Sequence, residues 1–418
     1  MDFKPIEYAK TMKISIPLYS KYALVFTAVL AVLIAGCPAP IKKPPEELAL
    51  VRRSTFSYPD FSDDLELDGL EHSILKSLVY LQRVPADRTY QFGKDRFDAG
   101  HLMQSLQHFL DFIRTKPSNK ELKKFIRSNY IVYQSVGRNQ KGEVLFTGYY
   151  EPHLSGRLHA DAEYPYPIYA LPTDLMKIDL SVFNEKYKGK SIVGRYTGQT
   201  VVPYYDRREI EEEDVLVDKA APLVWVKDPV DVFFLQIQGS GKVFLDTGEV
   251  LNVHYHGSNG RPYRSIGRLL IEEQKIPKEE MSMQKIRSYL QAHPQEMAAV
   301  LNHNPSYVFF KLESEGPLGY LNVLLTPGRS VALDRRLFPP AALAYIQTKK
   351  PVVNGAGQID SWADCGRFVL NQDTGGAIRG PGRADLFWGN GPYAEIAAGH
   401  LAHIGKLYFL ILKPDKPK

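Results

Sequence analysis

The chain of 418 residues contains only two cysteines, three tryptophans and a formal net charge of +5. Two cysteines cannot build a disulfide framework. So small a charge, with no basic stripe carrying interleaved aromatics, argues against a nucleic-acid binder. The apolar run over residues 22–36 falls short of the roughly 20 residues of a bilayer span. Metal-ligand spacing is missing too: His254 and His256 lie two apart on a strand-like stretch without a third ligand, and His400 and His403 fall on a predicted final helix. There is no internal repeat and no low-complexity segment. With 44% hydrophobic and 24% charged residues, the chain reads as globular and long enough for two domains.

The N-terminus carries more information. Lys10, Lys13 and Lys21 precede the apolar run and small residues close it, which is the layout of a secretory signal. The segment Leu33-Ile-Ala-Gly-Cys37 resembles a lipobox, implying cleavage before Cys37 and a diacylglycerol on its thiol. An ordinary signal peptide with an incidental cysteine is the alternative, and translation from Met1 or from Met12 fits equally. After Cys37, the proline-rich stretch Pro38-Ala-Pro-Ile-Lys-Lys-Pro-Pro45 reads as an extended tether. Residues 1–36 are therefore expected to be a signal and 37–59 a lipid-anchored tether. Cys365 has no histidine base nominated beside it and is expected to be a small buried residue.

Apolar residues recur at helical spacing at Leu70, Ile74, Leu78 and Leu81, and again at Leu102, Leu106, Phe109, Leu110 and Ile113. A third helix is predicted after Ser118, with Leu122, Phe125 and Ile126 on its apolar face. From Val144 to about Leu251, aromatic and β-branched runs broken by Gly, Pro, Asn and Asp predict short strands. Helical texture returns over residues 282–304 with Ser282 as N-cap. Strand texture resumes at 307–310, 323–326, 331–334 and 368–370, followed by a last helix over 393–404 and a strand over 407–412.

Chemistry concentrates late in the chain. Asp334 stands in Val-Ala-Leu-Asp-Arg, Asp373 in Gln-Asp-Thr-Gly-Gly-Ala-Ile, and Asp385 in Arg-Ala-Asp-Leu-Phe-Trp-Gly. Gly375, Gly376, Gly380 and Gly382 lie between the last two, where they allow sharp turns or close approach. Each aspartate alone reads as a turn residue; three together point to a cleft. The Asp373-Thr-Gly375 triplet matches an aspartic protease, but that chemistry needs two such aspartates facing each other, and only one triplet occurs. Thr147, Tyr149, Tyr150 and Glu151 end a predicted strand and suit sugars, with hydroxyls for hydrogen bonds and rings for stacking. Gln236 and Gln238 alternate on a predicted strand face leading into Gly239 and Ser240, and amides suit N-acetyl groups. Asn259-Gly260 reads as a tight turn, flanked by Tyr255 and Tyr263 as weaker groove candidates. A plain structural reading remains open for each of these.

The aspartate-bearing segment resembles the catalytic 3D domain of the membrane-bound lytic murein transglycosylase A family. The resemblance extends over residues 60 to 415 through motifs in the family's order: Phe146-Thr-Gly-Tyr-Tyr-Glu-Pro152, Gln236-Ile-Gln-Gly-Ser-Gly241, Tyr263-Arg-Ser-Ile-Gly267, Met281-Ser-Met-Gln-Lys-Ile286 and Asn304-Pro-Ser-Tyr-Val-Phe-Phe310. It implies a mainly β chain: a double-psi β-barrel domain over 60–153 and 314–418, interrupted at 154–313 by a smaller β domain, with a groove between them. It also implies cleavage of the β-1,4 bond between N-acetylmuramic acid and N-acetylglucosamine in peptidoglycan, without cofactor or metal. Asp385 would be the catalytic acid and then base, giving 1,6-anhydro ends, with Asp373 and Asp334 as supporting carboxylates or as backbone-binding turn residues. Thr147, Tyr149, Tyr150, Gln236, Gln238, Gly239, Ser240 and Trp388 would bind substrate. The expected location is the outer membrane, facing the periplasm, with contacts to cell-wall synthesis or degradation complexes. The alternative is a non-catalytic murein-binding lipoprotein, because a fold does not fix a function.

Overall fold

A computed structural model of the chain describes residues 48–414. The apolar run and Cys37 lie outside them. Three helices, Leu70–Gln82, Ala99–Ile113 and Asn119–Asn129, form where the apolar spacing predicts. Ser118 caps the third as half of a reciprocal box: the Glu121 amide donates to its hydroxyl and the Glu121 carboxylate accepts from its amide at 2.8 Å. Their apolar faces bury Ile74, Leu106 and Phe109 in the largest core cluster.

The structure is mainly β. Six strands close into a barrel in the ring order Ala402–Leu412, Leu343–Val353, Ile359–Asp373, Ser330–Ala332, Arg383–Asn390 and Val144–Glu151. Closure depends on the Ala402–Leu412 strand, whose early residues pair with Val144–Glu151 and whose later ones pair with Leu343–Val353. Two neighbouring pairs are parallel: Arg383–Asn390 with Val144–Glu151, and Ser330–Ala332 with Ile359–Asp373. Strand alternation sends Phe146, Val331, Ala384 and Leu386 to one face and into the main core. Each of the larger ones contributes about 1.5–3 kcal/mol of burial. Two buried ion pairs fasten the N-terminal segment to the barrel, Asp63 with Arg329 and Asp64 with Arg367.

A single residue, Pro152, separates the barrel strand Val144–Glu151 from His153–Arg157, which belongs to a separate six-stranded sheet. That sheet runs from Val308–Glu313 through Val250–Ser258, Ser240–Leu245, His153–Arg157 and Pro222–Val226 to Tyr166–Tyr169. The chain rejoins the barrel only after Glu313.

Several elements depart from the sequence expectation. The Gln236 segment is not a strand but the last turn of a helix, Pro229–Gln238. Short apolar runs do not distinguish the two by periodicity. The decisive signals are at its ends: Asp228 accepts from the Val230 amide, Pro229 opens the helix, and Gly239 closes it at φ 84°. Helices at Arg207–Glu212 and Ile266–Glu272 are also additional to the predicted set. Residues 323–326 form no strand. The final helix is Pro392–His400, so His403 lies on the closing barrel strand instead. Asn259 is more than a turn residue: its buried amide bonds the Tyr205 and Pro305 carbonyls and accepts from the Arg261 and Tyr307 amides.

Candidate active site

Strand register sets the site. In Ser330–Ala332, Ala332 lies opposite Asp373 on one side and Asp385 on the other. Asp385 lies in turn opposite Thr147. The result is a row of four residues on four neighbouring strands, Asp373–Ala332–Asp385–Thr147. Two strand spacings put the aspartate Cα atoms about 9.6 Å apart, with only the Ala332 methyl between them. A bulge makes this alignment possible. Val331 pairs with Asn371 but Ala332 pairs with Asp373, so Gln372 is the extra residue. Its buried amide is tied to Ser73, Ser77 and Ser330. Without the extra residue, Asp373 would fall on the opposite face of the sheet.

The three aspartates differ sharply in electrostatics. Burial pushes Asp385 up to about 6, and the negative charge of Asp373 adds to this. Opposing it are a 2.6 Å hydrogen bond from the Thr147 hydroxyl and the charge of Arg383. Asp385 still keeps partial solvent access. Burial likewise raises Asp373, against donors on both oxygens: Tyr149 OH at 2.8 Å on Oδ2, and the Tyr320 and Thr374 amides at 2.9 and 2.8 Å on Oδ1. Tyr149 stays a protonated donor, because burial and then Asp373 hold its hydroxyl far above the usual range. Asp334 is the opposite case. Burial works against its charge, yet Arg336 and the Gly380 and Arg336 amides hold it down at about 2. Arg336 grips both oxygens, at 2.9 and 2.7 Å. Of the two readings open for Asp334, the geometry fits the backbone-binding one: it stitches the 334–338 turn to the 374–382 loop.

Residues 145–311 match the family described as "MltA specific insert domain", and residues 329–411 match "3D domain". The membrane-bound lytic murein transglycosylase A of Escherichia coli strain K12 is 33% identical over 285 residues, 68% of this chain and 69% of the relative. The chain belongs to the membrane-bound lytic murein transglycosylase A family. The Vibrio cholerae protein of the same name is 30% identical, covering 67% of this chain and 68% of its own. Among solved structures, the membrane-bound lytic murein transglycosylase from Agrobacterium tumefaciens aligns with a TM-score of 0.71 and 27% identity, over 87% of this chain and 98% of that one. The crystal structure of E. coli MltA with bound chitohexaose aligns with a TM-score of 0.65 and 26% identity, over 91% of this chain and 98% of that one.

The remaining residues expected from the family motifs do not all share the aspartate face. Thr147 and Tyr149 do. Tyr150 and Trp388 alternate to the other side and pack in the main core, so neither is available to substrate from the Asp385 face. The ring beside the aspartates is Phe387, which packs with Tyr149, Leu325 and Ala332. Gly148 must lack a side chain, because a Cβ would sit 2.6 Å from Trp388 Nε1 and 2.8 Å from Ala398 Cα. Gln236 is buried and bonded to Arg207, a structural amide. Gln238 bridges instead: its Oε1 accepts from the Tyr150 amide at 3.0 Å and ties the helix end to the barrel strand. Gly239 faces open space and Ser240 is half-buried on the adjoining strand. Glu151 is buried, accepting from Asn390 at 3.1 Å with Lys242 at 3.8 Å, so it does not project freely. Tyr255 and Tyr263 are exposed.

Three contributors were not nominated from sequence: Gln372, which makes the bulge; Arg383, whose charge acts on Asp385; and Tyr320, whose amide holds Asp373. A polar residue just before Asp373 was the only signal for the first. Arg383 stands two residues before Asp385 on the same strand, so strand alternation was its signal; Tyr320 comes from a chain segment brought close by the fold.

Proposed function

We propose that this chain is a lytic transglycosylase that cuts the β-1,4 bond between N-acetylmuramic acid and N-acetylglucosamine in peptidoglycan. The observation that carries the reading is Asp385: a partly accessible carboxyl, raised by burial to about 6, in line with Asp373 and Thr147. Such a group is protonated below about pH 6, keeps a protonated fraction towards neutrality and can still give the proton up. In the proposed reaction Asp385 protonates the glycosidic oxygen as the C1–O bond breaks. Its carboxylate then takes the proton from the muramic acid 6-hydroxyl, whose oxygen bonds to C1. One residue thus serves as acid and then base, where hydrolysis uses two carboxylates and a water. Asp373, held by Tyr149 and two amides, is placed to stabilise positive charge developing at C1. The curated relatives' names and the chitohexaose in one solved relative support the polymer class.

The same reading assigns residues 60–153 and 314–418 to the barrel domain and 154–313 to an inserted substrate domain, in keeping with the exit at Pro152 and the return after Glu313. It places the enzyme on the outer membrane, facing the periplasm, through a lipid on Cys37, where cell-wall synthesis or degradation complexes are within reach. Fatty-acid labelling of the wild type but not of Cys37→Ala is the expected result; equal labelling would refute the anchor.

The deciding test of the activity is product mass from purified murein. A 1,6-anhydro end, lighter by one water than a reducing sugar, is expected. Reducing ends would mean hydrolysis, and binding without products would leave a murein-binding lipoprotein.

A further inference from the structure

Tyr320 stands at the tip of a turn fixed to the Asp373 side of the site, through the 2.9 Å bond from its amide to Asp373 Oδ1. The turn is tied internally, Gly319 N to Val323 O at 2.9 Å and Asn322 N to Gly319 O at 2.8 Å. From outside, Arg83 bonds the Leu321 and Asn322 carbonyls at 3.0 and 3.2 Å. Glycine at 319 is a steric requirement, since a Cβ there would lie 2.5 Å from the Gln372 carbonyl oxygen. The Tyr320 side chain is nonetheless 50% exposed. Over its ring lies Arg335, with the guanidinium carbon 4.9 Å from the centroid.

Arg335 sits on the turn that Asp334 organises, where the Leu337 and Phe338 amides bond the Asp334 carbonyl at 2.9 and 3.1 Å. Its neighbour Arg336 is committed to the Asp334 carboxylate. Arg335 is exposed, and among the described residues no carboxylate pairs with it. A guanidinium over an aromatic ring keeps its planar N–H fork, the group that takes a carboxylate in two parallel hydrogen bonds. Two ordered turns therefore present an unpaired cation on an aromatic base beside the aspartate row.

We propose that Arg335, supported by Tyr320, is a subsite for a carboxylate on the peptide stem of a muramic acid residue, so that the enzyme prefers glycan bearing acidic stems. This rests on the transglycosylase reading. Within that substrate the sugars are neutral and the stems carry the charge, so an unpaired cation beside the reacting row distinguishes muramic acid from N-acetylglucosamine positions.

The test compares two preparations of the same glycan strands: native stems, and stems whose carboxylates are converted to amides. Wild-type enzyme should show kcat/KM about fivefold higher on native strands, the upper end for an exposed ion pair. Arg335→Gln should lower the native value to the amidated one and leave the amidated value unchanged. Because Arg335 is exposed, the variant's melting temperature should match the wild type, which separates lost recognition from lost structure. Equal wild-type rates on both strands, or a variant that keeps the preference, or one that loses activity equally on both, would overturn the subsite. Each of those outcomes leaves cleavage itself standing. Failure of wild type to cut either preparation would instead overturn the functional reading.

Discussion

Asp334 and Asp385 have the same side chain, and Asp334 lies two residues beyond Ala332, the strand partner of Asp385, yet they are opposite chemical objects. Asp334 is fully enclosed, but a guanidinium and two backbone amides face its oxygens, and it is held at about 2. Asp385 keeps some solvent access, has one hydroxyl donor and, among the described residues, no direct ion pair, and is pushed up to about 6. Burial raises both. What separates them is whether donors and cations compensate for lost water, so enclosure alone does not identify an acid catalyst. The first aspartate holds two loops together; the second is left able to exchange a proton.

The strongest way to break this contrast is to remove each carboxylate. Asp385→Asn should reduce turnover at least 10²–10⁴-fold while murein binding survives; full activity would pass the role to Asp373. The sign of its stability effect is opposite to that of Asp334. A carboxyl raised in the folded state costs stability above its folded value and costs nothing below about 3.8, the unfolded value. Asp385→Asn should therefore melt higher than wild type at pH 7, with the gain shrinking below pH 6 and gone near pH 4.

Asp334→Asn should instead lower stability at pH 7 by roughly 1.5–3 kcal/mol, the scale of hydrogen bonds to a charged group. Its carboxyl is lowered from 3.8 to about 2. The stabilisation it supplies is complete above the unfolded value and is lost as pH falls through about 2. Melting curves at pH 7, 4 and 2 for both variants would decide whether the two aspartates differ as described.

Smaller effects sharpen the comparison. Tyr149→Phe removes a donor from Asp373, leaving less of it ionised, and should slow turnover by about tenfold or less, in line with 0.5–1.5 kcal/mol for one hydrogen bond. Smallest of all, Thr147→Val should barely change the acidic plateau. Wild-type activity should decline as pH rises through about 6, and in this variant the decline should move upward, because the lost hydrogen bond had been lowering Asp385. A shift downward would assign the alkaline limb to another group.

Much was legible in the sequence by itself. Helical spacing placed Leu70–Gln82, Ala99–Ile113 and Asn119–Asn129, since an amphipathic face and a Ser118 cap are local properties. Ordered motifs identified the family and nominated Asp385, Asp373 and Thr147 together. The sequence could not fix orientation. Tyr149 and Tyr150 are neighbours of similar chemistry, and Phe387 and Trp388 likewise, yet only one of each pair shares the aspartate face, because the strand alternates and the barrel decides which side is its inside. It also could not separate helix from strand over the apolar run of Pro229–Gln238, where the end caps outweigh a pattern that fits both. The row itself belongs to tertiary structure. Its alignment depends on strands far apart in sequence lying side by side, and on one extra residue, Gln372, held by serines from a distant helix and from the neighbouring barrel strand Ser330–Ala332. Local pattern gives Asp334 its cation, Arg336, two residues away; only the closed sheet brings Asp385 into line with Asp373 and encloses it enough to keep its proton.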